Sequence, residues 1–504
     1  MRQQSLNYFK NYHRARLEEL KIFLETEAWE VCPVRSTFSV HQLREFRFIN
    51  SAMSAKTISQ EGNRSCFTQF SVDGNPFTPS DEIEEEVEEI IDHGGIEDTV
   101  SDDEHEEDNV KDDLKHAFVD EDEGKRPPLM QARVFRQRMR SSSSTRGPLL
   151  ANTTLTVLRF FGHYMRMMNV LKPIAFDVLE CLSQLFDYYL FGVYDFFVKD
   201  LEYLPDNTQL SSKLLTSLKR ISESFIIASE EMTPMASHST TDDQFKVTKP
   251  WVNSAVSLTD GNTLFGLSCR MVAVESLVHL AQQFENLLPY MECMIPESKM
   301  SFLRQFVSQT VQTAPELRKP AYHGIAIKAL PCDQILQRMV TVKWDIRDIK
   351  SQHSSYVDSL VQEFVRYQGR LVAVEKSIKA PAEVPHMLWE GAVIAANRVF
   401  VEGFSLAKKC TNEGRALMQL DFQQYRTKVE KISGIRPLPY HQYVEDYIKA
   451  YYLSETDTEE WIRKHTEYSS KQLQSLVVTG VGSRITKRSR QRLLTVIEEL
   501  EKRK

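Results

Sequence analysis

Apolar residues recur along most of this chain at steps of three and four, the spacing that lines one face of an α-helix. Near the start, Leu6, Phe9, Leu17, Leu20 and Phe23 predict a helix over residues 1–30. The pattern is running within the first few residues and has no capping signal, so the chain is expected to begin inside a longer helical architecture. After Pro148, Leu158, Phe161, Met165 and Met168 form a second stripe. Pro173 interrupts it, and Val178, Leu182, Phe186 and Tyr189 form a third. Residues 205–250 are polar and predict one helix flanked by loops. Asp260 and Asn262 then precede a long helix striped by Leu264, Leu267, Met271, Val274, Val278 and Ala281, with an end at Pro289.

The longest predicted helix runs from Pro331 to Ile378. Ile335, Met339, Val342, Ile346 and Ile349 step by 4, 3, 4 and 3, and Tyr356, Leu360, Phe364, Tyr367, Leu371 and Val374 continue the stripe. At 1.5 Å per residue such a helix is about 70 Å long. Pro381 and Pro385 end it. Further helices are predicted over Met387–Lys409, Glu413–Ile432, Tyr440–Leu453, Ser454–His465, Lys471–Val478 and Arg484–Lys504, with Ser454 and Asp457 resembling a capping box. No series of alternating strands interrupts them. The expected fold is all-α: an extended, rod-like stack of antiparallel helical bundles. The lack of a fixed repeat of about 30–45 residues disfavours a strict solenoid.

Composition supports this reading. With 41% hydrophobic residues a sizeable core can form, and 18 Gly and 19 Pro in 504 residues are few for a strand-rich chain. Charge then divides the chain. Residues 81–123 hold 22 acidic and 2 basic residues, whereas the remainder holds 60 basic and 48 acidic. The acidic run is followed by seven Lys/Arg and no acid between Lys125 and Arg146, with the low-complexity run Ser141–Ser144. Such a stretch buries too little apolar area to offset its ordering entropy. The expected organisation is therefore the end of an N-terminal helical region at 1–50, a disordered acidic-then-basic linker at 51–146, and a helical domain at 147–504. Ser101 and Ser141–Ser144 are candidate phosphorylation sites.

Seven scattered cysteines with no C-x-x-C pair read as reduced core thiols, which implies the cytosol. The apolar stretch Ile174–Val198 carries Asp177, Glu180, Asp187 and Asp195, too many carboxylates for a membrane span. Any membrane association is expected to be peripheral. Catalytic signatures are missing: no phosphate loop, no H-E-x-x-H, no G-x-S-x-G. The sequence predicts no catalytic residue, no metal site and no cofactor. Cys410, after Lys408 and Lys409, is the one thiol placed for a lowered pKa, although helix packing is its expected role. His105, in an acidic run, reads as part of a solvated charge run.

Two stretches are candidate binding surfaces. Arg484, Lys487, Arg488, Arg490 and Arg492 make a basic cluster in the final helix, suited to an acidic lipid surface or acidic partner. Tyr440, Val444, Tyr447, Ile448 and Tyr451 form one face of an aromatic helix, which is either an interface or, more commonly, a core stripe. Nucleic acid is excluded as a partner, since basic residues are not interleaved with aromatics and the chain is acidic overall.

Several long blocks resemble the syndetin family. The most distinctive is KKCTNEGRALMQLDFQQY at Lys408–Tyr425, with IRPLP at Ile435–Pro439, YIKAYYL at Tyr447–Leu453 and WIRKHTEYSSKQL at Trp461–Leu473. VKWDIRDIKSQHSSYVDSL at Val342–Leu360 and WEVCPVRSTFSVHQLREF at Trp29–Phe46 are similar too. The resemblance implies the C-terminal part of a non-catalytic tethering subunit, specific to the endosome-associated recycling complex. It further implies the subunits shared with the Golgi-associated retrograde complex and endosomal SNAREs as partners, and recycling endosomes and trans-Golgi membranes as the place of action.

Overall fold

The computed structural model describes residues 2–49, 90, 147–201, 210–227, 246–481 and 485–502. The acidic run and the basic stretch after it, with Ser101, His105 and Ser141–Ser144, lie outside those residues except for Ile90. Ile90 is buried, and its carbonyl accepts the Arg35 N–H at 2.9 Å.

The helices follow the apolar stripes. Helix α1 (Arg2–Thr26) buries Phe9, His13, Leu17, Leu20 and Leu24, a stripe at steps of four and three that continues through a histidine. It packs on α2 (Asn152–Val170) and α3 (Ala175–Phe197), which turn back on each other through a short connection containing Pro173. The residues before and after the acidic run therefore share one core. Their backbones are also joined: the Cys32 N–H donates to the Leu150 carbonyl at 2.7 Å. Ala151, at the N-cap of α2, has no side-chain acceptor, and buried Glu27 supplies one instead. Its carboxylate accepts the Thr153 N–H at 2.8 Å, the Thr153 hydroxyl at 2.7 Å and the Trp29 N–H at 3.2 Å.

Helix α3 is buried on nearly every side, which explains its apolar composition without a membrane. Its Asp187 is held by both guanidinium nitrogens of Arg220, at 2.8 and 2.9 Å, from α4 (Ser212–Ser224). Two-residue strands β1 (Ile226–Ile227) and β2 (Val247–Thr248) pair in parallel; the described fold is otherwise helical. Helix α5 (Leu267–Met294) does not stop at Pro289 but runs five residues past it, because Met291 is still buried against the core. Met300–Phe306 forms α6.

Helices α7 (Arg318–Ala329) and α10 (Glu383–Ser405) form the most intimate helix pair. A Cβ on Gly391 would stand 2.7 Å from the His323 Cα, so only glycine allows this approach. Pro385 does not end the preceding helix; it occupies the first turn of α10, where its missing N–H costs nothing.

The expected 70 Å helix does not form. Chain from Pro331 to Ile378 folds instead as α8 (Cys332–Val340), an irregular segment over 341–354, and α9 (Ser355–Ser377). The 4-3-4-3 stripe divides accordingly. Ile335 and Met339 are buried in α8, Val342 and Ile346 are half-buried, and Ile349 is 76% exposed. Trp344, outside the helical stripe, is the anchor, buried edge-on to Phe404 at 5.6 Å. The broken backbone finds partners in Thr411: its hydroxyl donates to the Ile346 carbonyl at 2.7 Å, and its N–H to the Trp344 carbonyl at 3.2 Å.

Helix α11 (Asn412–Ser433) joins α9 and α10 through an aromatic cluster in which Phe400 meets Tyr425 at 4.9 Å, Phe422 at 5.4 Å and Tyr356 at 5.9 Å. The chain closes with α12 (His441–Ala450), α13 (Glu455–Lys464), α14 (Ser470–Ser475), a π-helical turn over 476–481, and α15 (Lys487–Glu501). Ser454 caps α13 as its spacing predicts, accepting the Asp457 N–H at 3.3 Å. Buried apolar residues from α1 through α15 form one connected core. The all-α expectation of packed helical bundles holds.

Candidate interaction surfaces

The basic cluster is carried by α15. Thr486 starts this helix, its hydroxyl accepting the Ser489 N–H at 3.2 Å, and Leu493, Val496 and Ile497 fix it by burial against α13 and α14. Lys487, Arg488 and Arg492 are exposed, whereas Arg490 is half-buried; Arg484 lies outside the described residues. At 100° per residue they do not share one plane: Lys487 and Arg490 face one flank, Arg488 and Arg492 the other. Arg492 is 70% exposed yet engaged, its guanidinium 2.8 Å from the Glu459 carboxylate of α13. Cations in the first turns of a helix oppose its macrodipole, and Arg488 and Arg492 repel each other one turn apart. This arrangement works against stability by roughly a few tenths of a kcal/mol per charge.

The aromatic helix is α12, and it faces inward. Val444, Tyr447, Ile448 and Tyr451 are buried, while Tyr440 precedes the helix with φ 55° and is 41% exposed. The Tyr447 hydroxyl donates to the Gln472 carbonyl at 3.0 Å and the Tyr451 hydroxyl to the Phe404 carbonyl at 3.4 Å, as buried tyrosines require. It is a core stripe.

The block at Lys408–Tyr425 is structural as well. Thr411 caps α11 and holds the irregular segment over 341–354. Gly414 lets that segment approach, since a Cβ there would lie 1.9 Å from the Trp344 carbonyl oxygen. Arg415 is 2% exposed, donates to the Gly480 carbonyl at 2.8 Å, and stands 5.1 Å from the Tyr451 ring centroid. It thereby ties the π-helical turn to the start of α11. Cys410 has the packing role expected of it rather than a lowered pKa. Burial pushes its thiol up to about 11 against the weaker opposing effect of Arg415, which removes the thiolate needed for nucleophilic chemistry.

One surface feature escaped the sequence reading. Between the α7–α8 junction and α9 lies an open groove of about 680 Å³. Ala329, Pro331 and Ala373 line it together with Lys328, Arg366 and Arg370. Its only local signal is Gly369, an isolated glycine within a helical pattern.

His13, Arg270 and Glu275 are buried ionisable groups engaged structurally. His13 places Nδ1 2.8 Å from the Tyr164 hydroxyl and Nε2 2.8 Å from Gln184 Oε1, an arrangement that satisfies both nitrogens of a neutral ring. Burial holds its pKa down to about 4. Arg270, fully buried, reaches both carboxylate oxygens of Asp200, at 3.1 and 3.0 Å. Glu275 accepts from the Tyr322 hydroxyl at 2.8 Å and from Arg318 Nε at 3.0 Å. Among the described residues, no group of three or more His, Cys, Asp or Glu is placed to hold a metal ion, and no helix is long and apolar enough to cross a membrane.

Residues 264–498 match the family described as "Syndetin, C-terminal". Over the whole of its length the chain is 46% identical to syndetin of mouse (Mus musculus) and of rat (Rattus norvegicus). The chain belongs to the syndetin family. It is also 46% identical to the syndetin of chicken (Gallus gallus). It spans about half the length of these relatives, 54% of the mouse and rat proteins and 55% of the chicken protein. The syndetin C-terminal match takes in α5 through most of α15, and with them the Thr411–Arg415 block, the groove beside α9 and the basic helix. Helices α1–α4 precede it, yet they share its core and fall within the full-length similarity.

Proposed function

We propose that this chain is a non-catalytic subunit of a multisubunit vesicle-tethering complex. It acts in endocytic recycling to the plasma membrane and in endosomal retrograde traffic, and it binds SNAREs. Its partners are the subunits shared by the Golgi-associated retrograde and endosome-associated recycling complexes. Its place is the cytoplasmic face of recycling endosomes and trans-Golgi membranes, held peripherally. The observation that carries this reading is 46% identity to syndetins across the entire chain. The architecture supports it: helices locked by one core present separated surfaces at fixed positions, so a bound vesicle and its target are brought to high effective concentration without any chemical step. Affinity purification with mass spectrometry tests it, using this chain beside a full-length family member. Recovery of the shared subunits or of endosomal SNAREs with either form supports the proposal; recovery of neither with both forms overturns it.

A second reading is a peripheral membrane-binding or protein-interaction scaffold outside such a complex. The outward cations of α15 favour it, since they oppose the stability of the helix that carries them. Each Lys or Arg near an anionic surface contributes about 1 kcal/mol. Reversing Lys487, Arg488 and Arg490 to Glu is therefore expected to release the chain from phosphatidylserine vesicles in flotation; unchanged flotation removes α15 from the account.

A further inference from the structure

We propose that the groove between the α7–α8 junction and α9 receives an acidic amphipathic helix of a protein partner, whose backbone comes closest at Gly369. This goes beyond the tethering reading and stands whether or not the chain assembles into such a complex.

Three observations carry it. The first is the outward side of α9. Tyr356, Leu360, Phe364, Tyr367 and Leu371 point into the core. The opposite side exposes Val365 by 51% and Val372 by 44%, on either side of Gly369. Two turns of helix separate the valines, about 10 Å, a length that suits two turns of a docked helix. The second is Gly369 itself. An exposed glycine in a helix interior costs about 1 kcal/mol relative to alanine. Gly391 and Gly414 are accounted for by neighbouring backbone, but no atom of the described residues lies within 4 Å of a Cβ on Gly369. No contact among the described residues asks for a glycine there, whereas close approach of a second backbone does.

The third observation is charge, and it selects the occupant. Arg370 spends its guanidinium on neutral carbonyls, those of Gly261 and Ala329, both at 3.0 Å. Lys328 Nζ stands 4.7 Å over the Phe265 ring. Neither cation pairs with a carboxylate among the described residues, whereas Arg366 is matched by Glu363 at 2.6 Å. The groove thus carries uncompensated positive charge around Ala329, Pro331 and Ala373, with the two exposed valines of α9 flanking it rather than lining it. A helix with an apolar face bordered by Asp and Glu complements both, and a basic helix is repelled.

Fluorescence anisotropy on the purified chain tests this with a labelled synthetic helix of about 20 residues, Leu on one face and Glu on the other. The control peptide has Lys in place of every Glu. The acidic peptide is expected to bind at least tenfold more tightly than the basic one. The substitution Lys328→Glu, and separately Gly369→Trp, are each expected to weaken it at least tenfold. Reversal of Arg488 on α15 is expected to leave it unchanged. Gly369→Ala guards against misfolding: it is expected to raise the melting temperature and still weaken binding. Absence of saturable binding, equal affinity for both peptides, or affinity unaffected by the groove substitutions overturns the proposal. Full displacement of the peptide by inositol hexakisphosphate at stoichiometric concentration also overturns it, in favour of a small-anion site.

Discussion

Replacing Gly414 by alanine sets local helix propensity against tertiary packing. Propensity alone says that Gly414→Ala stabilises α11 by up to about 1 kcal/mol. The tertiary structure says the reverse. The new Cβ would sit 1.9 Å from the Trp344 carbonyl oxygen, well inside contact distance, and that atom is backbone, unable to swing aside. Relieving the clash moves the Trp344 carbonyl off Thr411, whose N–H and hydroxyl reach it at 3.2 and 3.3 Å. The N–H bond, worth about 1 kcal/mol, is lost or stretched, together with the weaker share of a hydroxyl proton that the Ile346 carbonyl already holds at 2.7 Å. The buried Trp344 ring is also pulled from Phe404; complete loss of such a side chain costs about 3–5 kcal/mol, and partial unseating a fraction of that. Set against the propensity gain, the net expectation is destabilisation by about 2–4 kcal/mol. Differential scanning fluorimetry should show a melting temperature lower by roughly 3–5 °C. Two companion substitutions sharpen the test. Gly369→Ala, with open space around its Cβ, should raise the melting temperature. Gly434→Ala, also with open space but at φ 73°, should lower it by the strain of the left-handed backbone, about 1 kcal/mol. If Gly414→Ala is as stable as the parent, the role assigned to the Thr411–Arg415 block is wrong.

Other expectations follow from buried polar groups. Burial holds His13 down to about 4 from an ordinary value near 6.5, so the unfolded chain takes up this proton first. Its contribution is complete above pH 6.5 and is lost as pH falls toward 4, worth about 3 kcal/mol; urea midpoints should fall less steeply over that range in His13→Gln, and identical slopes would refute the assignment. Glu27→Ala leaves the Thr153 and Trp29 N–H groups without their acceptor and should cost about 2–4 kcal/mol, read as a lower melting temperature. With its thiol pushed up to about 11, Cys410 should be alkylated by iodoacetamide after the exposed Cys293 in the native protein, followed by peptide mass spectrometry; faster labelling of Cys410 would contradict its burial.

Much of this architecture is legible in the sequence because helix periodicity is local. Apolar steps of three and four mark α1, α2, α3 and α11 and the end of α9, Ser454 marks the start of α13, and the carboxylates of α3 argue against a membrane span from the sequence alone. The groove beside α9 was not legible, since its walls come from two stretches about 40 residues apart that only folding brings together. The longest predicted helix fails for a related reason. Val342, Ile346 and Ile349 keep a helical rhythm, but the backbone there is held by Thr411, more than 60 residues later. Periodicity records which residues prefer burial, not which distant hydrogen bonds compete with the helix for the same backbone. Pro289 and Pro385 teach the same lesson, one tolerated because the turn beyond it is buried, the other because it sits where no donor is needed. His13 and Glu27 look like polar interruptions in sequence and become a satisfied core residue and a borrowed helix cap. By itself the sequence therefore determined where helices can form and which family the chain resembles. Only the tertiary structure decided where helices break and which surface cations lack a carboxylate among the described residues, because both depend on atoms that are neighbours in space and strangers in sequence.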